Sequence, residues 1–134
     1  MINVDNLFNL FPSEEEDSEV YIGFTERPMY KLGMYKKLVL NFLTFKEKVV
    51  SFLKDANAEL SEDEMGEAGA LIAYTRAWGY IEQIEINNPE HIEAIKEYSN
   101  DEMVQSLNLG IFYYERHEEY EKCAFLLQIL NLSK

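Results

Sequence analysis

The chain predicts an all-α fold, a bundle of about five helices with an extended N-terminal arm and a C-terminal antiparallel helical hairpin. Three observations predict it. Apolar residues recur at three- and four-residue steps through most of residues 29–130. Cap signals cut that stretch into helix-length pieces: Ser61 with Glu64, Asn88 with Pro89, and Ser99 with Glu102. Only residues 20–25 alternate in the manner of a strand, and a single strand has no sheet to join, so this segment reads as extended. With 134 residues, 47% hydrophobic and 13% aromatic, the chain is long enough for one core and too apolar for disorder.

Residues 1–19 form the arm and residues 20–134 a single helical domain. In the arm, Val4, Leu7, Phe8, Leu10 and Phe11 precede Pro12, and Glu14, Glu15, Glu16, Asp17 and Glu19 then repel one another into a solvated linker. An apolar, aromatic patch followed by acids has the form of a short docking motif. Leu7, Phe8, Leu10 and Phe11 are therefore candidate partner-binding residues. The competing reading packs the same rings on the protein's own core.

The first long helix spans roughly residues 29–55. Tyr35, Phe42 and Val49 make one heptad row, and Leu38, Phe45 and Phe52 a second. Fewer than three heptads favour packing within the fold, while permitting a dimer without requiring one. Lys31, Lys36, Lys37, Lys46, Lys48 and Lys54 avoid both rows and read as a solvated face.

Residues 61–86 are the central helix around which the rest is organised. Gly66, Ala68, Gly69, Ala70, Ala73, Ala77 and Gly79 thin one side, and Leu71, Tyr74, Trp78 and Ile81 interlock with neighbours on the other. Glu67 and Arg76 belong on its surface. Asn88 and Pro89 start a short helix over 89–98 that buries Ile92, Ile95 and Tyr98. Ser99 and Glu102 open the next, with Val104, Leu107, Ile111 and Tyr114 on one face. After a turn at Glu115 to Glu118, the last helix carries Tyr120, Cys123, Leu127 and Leu130.

In residues 107–130 the spacing of Leu107, Tyr114, Tyr120, Cys123, Leu127 and Leu130 resembles one tetratricopeptide unit. In that resemblance Tyr120 takes the aromatic position before the second helix and Cys123 the small-residue position where the two helices touch. Ile111 stands where the family has Gly or Ala, with Gly110 one residue earlier, and no second copy occurs at a period near 34 residues. The resemblance implies a peptide- or protein-binding surface. Separately, Tyr113, Tyr114 and Tyr120 concentrate near this hairpin; tyrosines anchor interfaces and also fill cores, and Tyr113 and Tyr120 join the candidate partner-binding residues.

Charge narrows the partners. Residues 1–19 hold six acids and no base, residues 20–58 seven bases against three acids, and residues 59–134 five bases against sixteen acids, for a net charge of −13. Such a chain repels nucleic acid and anionic membranes, so neither is an expected direct partner. Its one cysteine and lack of a secretory pattern point to a reducing, cytoplasmic setting.

The residues show no catalytic, cofactor or metal motif. His91 reads as a first-turn surface residue, His117 as a turn residue, and Cys123 as an inert thiol on the apolar face. Gly66 and Gly69 lack the lysine of a phosphate loop. The expectation is a non-enzymatic protein without cofactor that binds another protein, through its arm or its C-terminal hairpin. In size and acidity it resembles the accessory and structural proteins that bacteriophages encode, which would place it in a virion or the cytoplasm. The alternative is an acidic inhibitor that mimics nucleic acid, supported by Glu82, Glu85, Glu90, Glu93 and Glu97.

Overall fold

In the computed structural model, residues 23–56 and 61–134 are described, and among them the fold is an all-α bundle without strands. Its helices are α1 (Pro28–Asp55), α2 (Glu62–Ile81), α3 (Pro89–Glu97), α4 (Asp101–Arg116) and α5 (Tyr120–Leu132). The arm, with Leu7, Phe8, Leu10 and Phe11, lies outside the described residues. Gly23, Phe24 and Thr25 are helical rather than extended, and the Arg27 N–H donates to the Phe24 carbonyl to turn the chain into α1.

Pro28 occupies the first turn of α1, where its fixed φ suits the helix and its missing N–H costs nothing. Leu32, Tyr35 and Val39 form the fully buried row, while Leu38 and Phe42 pack more loosely against the core. The inner row therefore lies between the two heptad rows and includes two residues outside both. Lys31, expected on a solvated face, is buried, with its ammonium 3.8 Å from Glu26. Its long aliphatic stem makes this possible, since the charge needs to surface only at the tip.

α2 opens as its cap predicts: Ser61 Oγ accepts from the Glu64 N–H at 3.2 Å, and donates to Glu64 Oε1 at 3.2 Å. It ends at Ile81, five residues before Ile86. There the N–H groups of Gln83 and Ile84 turn to the carbonyls of Tyr80 and Ile81, a tightening that swings Ile84 into the core. Gln83 Nε2 donates to the freed Gly79 carbonyl at 2.7 Å. Of the small-residue side of α2, Ala77 is fully buried and Gly66 lies against Lys46 of α1, whereas Gly79 is exposed with open space beside it. Leu71, expected to interlock, is instead 59% exposed, on the outward stripe of α2 that continues through the exposed Thr75 and Gly79.

Asn88 caps α3, with Oδ1 accepting from the Glu90 N–H at 3.0 Å, while its amide donates to Glu85. His91 is a correction: rather than standing in solvent, it is half-buried and its Nδ1 accepts from the Glu85 N–H at 2.9 Å, closing the α2–α3 turn. A second correction concerns the α4 cap. Asn100, not Ser99, accepts from the Met103 N–H at 2.8 Å, and Ser99 Oγ donates to the Ser133 carbonyl, tying this corner to the end of α5.

α1 and α2 run antiparallel: Tyr30 meets Tyr80, and Phe42 meets Tyr74. α4 and α5 form the antiparallel C-terminal hairpin, and α3 bridges by packing on α1 and α5. The inward face of α5 is Leu126, Ile129 and Leu130, so of the four residues expected there only Leu130 is buried. Gly110 explains the rotation, because Leu126 and the Tyr35 hydroxyl press so close to it that a Cβ has no room. Two buried hydroxyls lock the layers: Tyr35 donates to the Ser106 carbonyl at 2.8 Å and Tyr114 to the Tyr74 carbonyl at 2.9 Å. No helix among the described residues is long and apolar enough to cross a membrane.

Candidate functional site

An aromatic seam joins the two hairpins where backbones stay too far apart for small side chains to meet. From α2, Tyr74 and Trp78 project one turn apart; Tyr113 and Tyr114 come from α4 and Phe125 from α5. Tyr74 stacks on Tyr113 with centroids 4.0 Å apart, and Trp78 lies edge-on to Tyr114 at 5.7 Å and Phe125 at 5.5 Å. Lys122 Nζ sits 5.1 Å from the Trp78 ring and 5.0 Å from the Tyr114 ring, and 3.2 Å from Glu119. Such a cation over two ring faces holds the start of α5 to α2. Burial, followed by the nearby Glu119 carboxylate, pushes the phenols of Tyr113 and Tyr114 up, so both remain protonated at neutral pH. Trp78 is half-buried at this seam; the side chains at the centre of the core are Tyr35 and Tyr114.

The candidate binding residues separate here. Tyr113 is half-buried in the seam, its outer edge covered by His117 at 4.4 Å. Tyr120 stands 62% exposed at the first position of α5, and Leu127, seven residues on, shares its line and is 48% exposed. Between them Cys123 Sγ donates to the Ile111 carbonyl at 3.4 Å, which sets this line beside Ile111 and Phe112 of α4. Phe112 is 63% exposed and was not among the expected residues. Its signal was present: it falls out of phase with the row Leu107, Ile111, Tyr114, as an outward-facing aromatic must. The outer surface of the hairpin therefore carries Phe112, Tyr120 and Leu127 in contact with water.

Polar groups do not gather comparably. Among the described residues no three of His, Cys, Asp or Glu converge to hold a metal ion. His91 is engaged in its turn and His117 lies on Tyr113. Burial raises the Cys123 thiol, reinforced by Glu115, which disfavours the thiolate a nucleophile requires. For Lys36, burial opposes its charge, but the Tyr98 hydroxyl and the Glu102 carboxylate, 3.5 Å away, more than reverse that effect. Glu67 is exposed and Arg76 half-buried. Glu82, Glu85, Glu90, Glu93 and Glu97 are all exposed across the end of α2 and α3.

Comparison with protein-family models, with curated proteins and with solved structures gives no match.

Proposed function

We propose that the protein is a non-catalytic binding or assembly protein that docks on another protein through the outer surface of its C-terminal hairpin, with its N-terminal arm as a second docking element. One observation carries this reading: Phe112, Tyr120 and Leu127 present large apolar side chains to water on one hairpin, an arrangement that leaves apolar area unburied in a small domain. Aromatic residues of this kind anchor interfaces, where ring area is gained for little conformational entropy. The tetratricopeptide-like spacing of residues 107–130 and the style of a phage accessory or virion component fit the same role.

The test is affinity capture from native lysate with the full chain and with Tyr120→Ser combined with Leu127→Ser. A stoichiometric partner lost from the double variant, at unchanged melting temperature, is expected. A partner retained by that variant overturns the hairpin as the docking surface. The five exposed glutamates of the α2–α3 corner support one further reading, an acidic mimic of nucleic acid. A mimic would release its partner steeply between about 50 and 200 mM salt, as phosphate-type contacts do, whereas an apolar dock is retained.

A further inference from the structure

The outer surface of the C-terminal hairpin carries charge as well as apolar area, and the charge gathers at one end. Along α5, Tyr120, Ala124, Leu127 and Asn131 face water at steps of three and four residues, and on α4 Asn108, Phe112 and Glu115 do the same. Ile111 and Cys123 are half-buried and level with each other, joined by the bond from the thiol to the Ile111 carbonyl. At the α4–α5 turn Glu115, Glu118, Glu119 and Glu121 are all exposed. Two bases accompany these four acids, and both lie over rings: Lys122 over Trp78 and Tyr114, and Arg116 over Phe112. The Cys123 thiol is raised by burial and then by Glu115 and Glu119, so the negative field of the turn reaches the half-buried part of this surface. Towards Leu127 the exposed polar neighbours are the uncharged Asn108, Gln128 and Asn131.

We propose, resting on the docking role given to the hairpin above, that this surface takes a short amphipathic helix of another protein, with the apolar stripe of that helix on Phe112, Tyr120 and Leu127 and its lysines or arginines at the α4–α5 turn. Spacing, area and charge support it. Tyr120 and Leu127 are about 10.5 Å apart along α5, the same rise that separates residues i and i+7 on one stripe of a partner helix. Among the described residues there is no strand, so no sheet edge offers itself to the backbone of an extended peptide.

The rings of Phe112 and Tyr120, 63% and 62% exposed, offer about 250 Å² between them if each presents about 200 Å² in full, and Leu127 adds less than one ring does. A stable dimer buries about 800 Å² on each partner, so a second copy of the chain finds too little here. It would also bring its own four acids towards the contact. One stripe of a short helix is of the available extent. The acids of the turn then select its sign, because a basic helix is attracted and steered to that end while an acidic one is repelled.

The experiment displays a library of helices of about 14 residues, about four turns. Leucines are fixed at i, i+3, i+4 and i+7, the other positions vary among Lys, Gln and Glu, and selection on the full chain is compared with selection on Tyr120→Ser combined with Leu127→Ser. Selected helices should carry lysine in clear excess over glutamate towards one end, and as synthetic peptides should bind the parent about tenfold more tightly than the double variant. In Glu115→Gln combined with Glu121→Gln, at unchanged melting temperature, the excess of lysine should shrink. Helices with as much glutamate as lysine overturn the proposal and leave the hairpin as the docking surface. Helices that bind the double variant equally well, or none that prefer the parent, overturn it too. A dimer seen in sedimentation equilibrium and abolished by Tyr120→Ser with Leu127→Ser overturns it in favour of a second copy. The docking role itself fails separately, when the partner captured from lysate survives those two substitutions.

Discussion

Glu118 is the one non-glycine residue with positive φ among the described residues, at 58°. It ends α4 in the position that glycine usually takes, and both hydrogen bonds of that ending are present: the Glu118 N–H donates to the Glu115 carbonyl at 3.1 Å and the Glu119 N–H to the Tyr114 carbonyl at 2.9 Å. An L-residue costs about 1–2 kcal/mol in this conformation, and glycine returns about 0.5–1 kcal/mol of that as unfolded-state entropy. Glu118→Gly should therefore stabilise the fold by about 0.5–1 kcal/mol, seen as a rise in the urea midpoint; no rise would mean that the carboxylate compensates the strain. Gly110 is the opposite case. A Cβ there would overlap the Tyr35 hydroxyl and lie 2.9 Å from Leu126 Cδ1. Tyr35 cannot yield without giving up its bond to Ser106, so Gly110→Ala should cost about 3 kcal/mol, from overpacking together with one buried hydrogen bond. A loss under about 1 kcal/mol would show that α4 and α5 separate easily.

At the scale of elements, periodicity and caps carried most of the fold. Pro28, Ser61 and Asn88 are local signals read by backbone groups a few residues away, and the helices they start are where their spacing put them. What spacing did not show was rotation about the helix axis. Tyr120, Cys123, Leu127 and Leu130 lie on a regular row, yet α5 turns Leu126 and Ile129 inward, because Gly110 admits α5 at that angle and no other element enforces the row. The exposed docking candidates Phe112 and Leu127 were hidden by the same ambiguity, since an apolar residue on a row looks like core until its neighbour is known. Trp78 illustrates the energetic side. Half-buried between Tyr114, Phe125 and Lys122, it should cost about 2 kcal/mol on Trp78→Ala, below the roughly 3–5 kcal/mol of a fully enclosed ring. Tyr114→Ala should cost about 4 kcal/mol, since it empties the core and also removes the donor to Tyr74. Circular dichroism in urea ranks the two; equal losses would make Trp78 as central to the core as Tyr114.

At the scale of the whole molecule the phenols make stability depend on pH in one direction. Burial raises Tyr35 well above its ordinary value, and burial with Glu119 raises Tyr114, each hydroxyl remaining a donor to a backbone carbonyl. In the unfolded chain both phenols lose their protons near pH 10. Below that pH folded and unfolded states hold the same protons on these groups, and the contribution to stability is constant. Above it the unfolded state holds fewer, so stability falls as pH rises until the folded phenols also ionise. Each of the two contributes at most about 1.4 kcal/mol per pH unit to that slope. Urea midpoints should accordingly stay level from pH 8 to 9.5 and fall steeply between about pH 10 and 11.5. Tyr114→Phe, less stable at pH 8 because the Tyr74 carbonyl loses its side-chain donor, should fall less steeply, since one of the raised phenols, which also include Tyr74 and Tyr113, is gone. If its slope matched that of the parent, the alkaline loss would belong to charge repulsion in a chain of net charge −13 and not to the buried hydroxyls that join its two hairpins.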